Sequence, residues 1–132
     1  MKSLDIRTSS RTDFVNITAQ VRQCVSESGV NSGLVVVYVP HTTAGVTINE
    51  AADPDVVFDM TNYFDKLVPW NNNYRHGEGN SAAHIKTTMV GSSVSIPIEN
   101  GKMALGVWQG IFFCDFDGPR NRQCYLTITF ND

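Results

Sequence analysis

The chain has 132 residues, 42% of them hydrophobic, which is the size of one domain with enough apolar material for one core. Charged residues make up 17% and the formal net charge is -3, with no lysine or arginine run dense enough to follow a phosphate backbone, so nucleic acid is not an expected partner. Residues 1–12 are polar and alternating, unlike a secretory signal, and no run approaches the roughly 20 apolar residues of a membrane span. The three cysteines, Cys24, Cys114 and Cys124, are an odd set without a Cys-x-x-Cys pair. The expectation is one domain over residues 1–132, cytoplasmic, with reduced thiols.

Lys2 to Arg7 alternates with Leu4 and Ile6 on one face, and Phe14 to Ile17 is β-prone, so both read as half-buried strands. Thr18 is a possible cap for a short helix through Val21, Cys24 and Val25, stopped by Gly29. Gly33 to Pro40 is apolar on both parities, which predicts a strand buried on both faces. Gly45 to Asn49 is another strand, and the loop between the two carries His41 at the mouth of the sheet. Asp53-Pro54 starts a helix whose stripe is Val57, Met60, Phe64 and Leu67. After a loop from Trp70 to Gly79, Asn80 to Val90 reads as a helix capped by Asn80 and burying Ala82, Ile85 and Met89.

The last third is strand-like: Ser93 to Ile98, Met103 to Val107, Gly110 to Phe116 and Gln123 to Phe130, expected as a meander. In the final run Cys124, Leu126, Ile128 and Phe130 share the drier parity. A hairpin turning near Pro119 would place Cys114 and Cys124 opposite one another as free thiols. Strands at both ends with three helices between them make the fold class α+β.

His41, His76 and His84 are the whole histidine complement, each in or beside a loop rich in small polar residues. Neutral imidazole suits zinc, and three nitrogens with an open fourth position is the catalytic pattern. The spacing of His76 and His84 is not that of a helix-borne pair, so ordinary surface or hydrogen-bonded histidines are the alternative. Asn80 and Ser81 open a helix, where backbone N–H groups and the dipole would receive a phosphate, unless the segment is only a connector. Arg120 and Arg122 flank a Gly-Pro turn and could clamp a phosphate, or form a solvated tip. Trp108 reads as a core residue, and Glu50 or Asp53 could act as general base, Asp53 having a competing role as helix cap.

Three strings taken together, His41 to Glu50 (HTTAGVTINE), His76 to Lys86 (HGEGNSAAHIK), and Gly106 to Phe113 (GVWQGIFF) with Phe116 to Arg120 (FDGPR), resemble the YjbQ family in order and spacing. Val107 stands where a more polar residue is expected before the tryptophan. The resemblance implies an α+β fold with a β-sandwich-like core, a homotrimer with metal-bearing clefts near subunit boundaries, and His41, His76 and His84 as ligands of a divalent metal, zinc. It also implies thiamine-phosphate synthase-like activity, joining a pyrimidine methyl diphosphate to a thiazole phosphate with release of pyrophosphate. In that reading Lys86, Arg120 and the Asn80–Ser81 helix start hold phosphate charge, and Glu50 is the base. The competing expectation is a trimeric module that binds a small phosphorylated metabolite without turning it over.

Overall fold

The computed structural model describes residues 1–131, which form eight strands and three helices. In chain order these are β1 (Lys2–Arg7), β2 (Asp13–Asn16), α1 (Thr18–Ser28), β3 (Gly33–Tyr38), β4 (Ala44–Glu50), α2 (Pro54–Leu67), α3 (Ser81–Val90), β5 (Ser93–Glu99), β6 (Lys102–Met103), β7 (Gln109–Asp115) and β8 (Asn121–Phe130). No helix among them is long and apolar enough to cross a membrane.

Local chemistry sets the helix ends. The Asp53 carboxylate accepts from the Asp55 N–H at 2.9 Å and Pro54 takes the first helical position, so α2 starts where expected. At α1 the cap is displaced by one residue and one role. Ile17 sits at the capping position, and Asn16 Oδ1 accepts from both the Thr18 N–H (3.0 Å) and the Thr18 hydroxyl (2.6 Å). Thr18 Oγ1 in turn accepts from the Ile111 N–H at 2.8 Å, stitching the helix start to β7. Gly29 ends α1 in the left-handed region, at φ 69°, as its position suggested.

Two antiparallel sheets carry the architecture, one ordered β1-β8-β3-β5-β6 and the other β2-β7-β4. Their facing sides share one core, with Val35, Val37 and Leu126 from the large sheet meeting Val46, Ile111 and Phe113 from the small one. Val21 and Val25 of α1 close its edge. The alternate residues of β7, Phe112 and Cys114, enter a second cluster with Phe116, Ala83 of α3, Val57 of α2 and Trp70. The small sheet is therefore a middle layer, covered on one side by the large sheet and on the other by α2 and α3. Each fully buried Val, Ile or Phe contributes roughly 1.5–3 kcal/mol of transfer free energy.

Several expectations give way here. The final strands are not a meander, because β7 belongs to the small sheet while β8 lies between β1 and β3 in the large one. Cys114 and Cys124 are consequently not cross-strand neighbours: Cys114 opposes Gly45 and Phe14, and Cys124 opposes Leu4. Both are buried free thiols whose pKa desolvation raises, Cys124 to about 12. β3 is buried on one face only, with Leu34 and Tyr38 exposed on the other. The stripe of α2 is half-buried at best, and α3 buries Ala82, Ala83, Lys86 and Thr87 while Ile85 and Met89 face outward. Trp108 is 63% exposed and packs in no core.

Candidate functional site

One cleft of about 490 Å³ is lined by His41, His76 and His84 together. Its walls come from the β3–β4 connection, the segment that opens α3, and the β7–β8 turn, which supplies Asp117, Arg120 and Arg122. The strand ends bring these segments together: β7 and β8 part into different sheets at the turn, and β3 delivers His41 beside it.

The His76 and His84 rings meet edge to face with centroids 5.5 Å apart. His41 is held differently, its ring edge-on to Phe113 and its Nε2 accepting from the Gln123 N–H at 3.0 Å. Burial and then the Arg122 guanidinium lower the His41 pKa below the usual imidazole value, against the pull of Asp115. With its Nε2 lone pair engaged by the Gln123 N–H, a neutral His41 ring carries its proton on Nδ1. Three imidazoles on one cleft match a zinc-type cation in donor chemistry. Among the described residues, however, no three His, Cys, Asp or Glu side chains stand close enough to share an ion. His76 and His84 are the two whose rings are in contact, and His41 Nε2 is free to take a ligand only if it gives up the Gln123 N–H.

A buried ion pair forms the floor. Arg122, 4% exposed, donates from Nη2 to Asp115 Oδ1 (2.7 Å) and from Nε to Oδ2 (3.2 Å), and again from Nη2 to Thr43 Oγ1 (2.8 Å). The Thr8 hydroxyl donates to Asp115 Oδ2 at 2.7 Å and the Asp117 N–H to Oδ1 at 3.0 Å. Burial raises the Asp115 pKa, but the Arg122, Thr8 and Asp117 hydrogen bonds outweigh it and the net shift is downward. Arg122 Nη1 has no partner among the described residues, and the residue borders the cleft. Gly118 pins the turn, since a Cβ there would meet Ser10 O and lie 2.8 Å from Thr8 Oγ1.

At the α3 start Asn80 does not cap. Its Nδ2 donates to Asp117 Oδ2 at 2.9 Å, tying the helix to the turn, and its Oδ1 is buried without a partner. The first N–H groups of α3 are thus left without a side-chain cap, as an anion site requires. Arg120 is anchored to Asp117 through Nε to the carbonyl (3.0 Å) and Nη2 to the carboxylate (3.3 Å).

Of the candidate residues, His41, His76, His84, Asn80 and Arg120 come together in this cleft. Ser81 lines an adjoining cleft of about 620 Å³ that shares His76 and His84. Glu50 and Lys86 line neither. Glu50 ends β4, six residues past Ala44 and hence roughly 20 Å along the strand, with Oε2 accepting from the Ala52 N–H at 2.9 Å. Lys86 is 2% exposed and its Nζ donates to Asp65 Oδ1 at 2.7 Å, linking α3 to α2. The carboxylates that line the cleft with the histidines are those of Glu78 and Asp117. Arg122 had a signal in the sequence, since it falls on the dry parity of Cys124 and Leu126, where a charge needs a buried acid.

The sequence matches the UPF0047 protein YjbQ-like family over residues 2–131. It is 51% identical to UPF0047 protein YugU of Bacillus subtilis, covering 97% of this chain and 98% of that protein. It is 54% identical to a UPF0047 protein of Methanocaldococcus jannaschii, covering 93% and 89% respectively. A crystal structure of a YjbQ/UPF0047 family protein from Clostridium acetobutylicum superposes with a TM-score of 0.96 at 51% identity, covering 98% of this chain and 100% of that one. A hypothetical protein of Aeropyrum pernix gives 0.94 at 36% identity, with 98% of each chain covered.

Proposed function

Because the chain belongs to the YjbQ/UPF0047 family, we propose that it is a metal-binding enzyme with thiamine-phosphate synthase-like activity, joining a pyrimidine methyl diphosphate to a thiazole phosphate with release of pyrophosphate. The observation that carries this reading is the opening of the whole histidine complement onto the same cleft as Arg120 and Arg122. A divalent cation such as zinc, when bound by His76 and His84 with His41 joining, supplies Lewis acidity toward a phosphate oxygen. Arg122, held by Asp115 and Thr43, would offer its guanidinium to the departing pyrophosphate from the cleft wall, and Arg120 would add a second charge there. The uncapped start of α3 receives a further phosphate oxygen. Within one protomer the carboxylate and the inner cation that line the histidine cleft are Glu78 and Arg122 rather than Glu50 and Lys86, and in this reading they take over those two positions.

The homotrimer belongs to the same proposal. It is supported by large apolar side chains that one chain leaves exposed, among them Phe58 and Tyr63 at 65% each, Trp108 at 63% and Tyr38 at 47%.

Metal-loaded protein incubated with both substrates is expected to form the coupled product above a no-enzyme control, and its absence rules out the synthase activity. Metal content measured in parallel is expected to fall in His84→Ala and His76→Ala while the melting temperature holds, His76 being exposed and His84 half-exposed. Unchanged metal content removes the histidine site itself.

One observation favours a second reading, a trimeric module that binds a phosphorylated metabolite without turnover: the engaged lone pair of His41. A ligand-bound structure with a fourth protein ligand closing the metal shell supports that module, and a water or anion in that place supports catalysis.

A further inference from the structure

We infer that a second cleft, at the end of β7 away from the histidines, binds a small organic anion carrying an apolar body. The string Gly106-Val107-Trp108-Gln109-Gly110 plays no part in the histidine cleft. β7 runs from Gln109 to Asp115, so its two ends are separated by roughly 20 Å of strand. At the Gln109 end lies a pocket of about 580 Å³ between α1 and the β6–β7 connection, sharing no residue with the histidine cleft.

Its lining divides by chemistry. Val25, Met103, Leu105 and Val107 give it an apolar side, and Val107 stands 85% exposed at the lip with nothing packed over it. Arg22 and Lys102 give it two cations, and neither makes an ion pair among the described residues. Of the acids nearest to them, Glu27 pairs with Lys2 at 3.6 Å, and Glu99, the strand partner of Lys102, makes no ion pair with it and does not line the pocket. The chain has 13 acids against 10 basic residues, yet this pocket takes two of the basic residues and, among the described residues, no acid. Such a site selects one negative head group, a carboxylate or a phosphate monoester, attached to a body that covers Val25, Met103 and Leu105.

The wall opposite α1 is preformed. The Gly106 N–H donates to Gln109 Oε1 at 2.7 Å and the Gln109 N–H to the Gly106 carbonyl at 3.1 Å, closing the turn on itself. The Ala104 N–H donates to the Pro97 carbonyl at 2.8 Å and the Gly101 N–H to the Asn31 carbonyl at 2.9 Å, which fix the rest of the loop. Little ordering is left to be done by the ligand.

The test is an amide NMR titration of the whole protein with octanoate, octyl phosphate and octanol. At least one of the two anions is expected to shift the amides of Met103, Gly106 and Val107 selectively, and octanol to bind about tenfold more weakly or worse. A response to octanoate alone assigns a carboxylate head, and to octyl phosphate alone a phosphate monoester. Arg22→Gln/Lys102→Gln, two substitutions at exposed positions, is expected to weaken the anions by about tenfold while leaving octanol unchanged. Shifts absent from this pocket, octanol binding as tightly as the anions, or a double variant that binds them as the wild type does would each overturn the inference. The wild-type octanol comparison decides the matter without any variant.

Discussion

A guanidinium on the dry face of β8 needs a carboxylate held beside it, and Asp115, 0% exposed, meets that need at the end of β7. Asp115→Asn leaves Arg122 charged, buried and half-partnered, so the expected cost is about 3–5 kcal/mol, read as a lower urea midpoint. The double variant Asp115→Asn/Arg122→Met recovers part of that loss, because it removes the stranded charge. The pH dependence follows from the same bonds. The folded Asp115 pKa lies below its unfolded value of about 3.9, so the stabilisation is complete above that pH and disappears as pH falls through the folded pKa. Wild type is therefore expected to lose more stability than Asp115→Asn between pH 5 and the acid limit, and parallel curves would refute the coupling. The sequence places Arg122 at a turn, as a phosphate clamp or a solvated tip, although its parity with Cys124 and Leu126 marks the dry face of β8. The family resemblance groups the histidines, whose spacing alone leaves ordinary surface histidines as the alternative. The engagement of His41 was not legible, because the Gln123 N–H that occupies it lies 82 residues away and is brought there by sheet topology.

Periodicity located all three helices but misjudged which face of α3 meets the core. In α3 the expected stripe of Ala82, Ile85 and Met89 is rotated, because the small pair Ala82 and Ala83 lets the helix approach the small sheet closely and Lys86 reaches inward to Asp65. A lysine is read as surface from sequence, and nothing local reveals a partner one helix away. Two measurements separate the observed orientation from the expected one. Ile85→Ala and Met89→Ala, at 39% and 51% exposure, are expected to change stability by no more than about 0.5 kcal/mol, whereas a buried stripe would lose about 2–5 kcal/mol. Asp65→Ala, which takes the acceptor from a buried ammonium, is expected to cost about 1–2 kcal/mol because the aspartate end is solvent-screened. Adding Lys86→Met to it then recovers most of the loss, and strict additivity of the two changes would mean that Lys86 and Asp65 do not act as a pair.

Two strands, β3 and β7, are apolar on both parities in the sequence, and they end in opposite situations. β7 is the middle strand of the middle layer, with the shared core on one side and the α2–α3 layer on the other. β3 is the middle strand of the outer sheet and has a layer on one side only, so Leu34, Val36 and Tyr38 form an apolar row on the open face. Its neighbours there are Thr127 and Thr129 of β8 and Ser93 and Ser95 of β5, the composition of a face partly shielded from water. The pattern of β3 thus asks for a cover that one chain does not provide, and the proposed trimer provides it if the large sheets of the copies meet. Val36→Lys/Tyr38→Lys places two ammonium groups in that row, where burial against a partner would be costly and exposure to water would cost almost nothing. Sedimentation is expected to show the wild type at three chains per particle and the double variant at one, with the circular dichroism spectrum unchanged. A variant that keeps the wild-type mass shows that copies, if they assemble, do so through another surface, with the exposed side chains Phe58 and Tyr63 of α2 as the next to be charged.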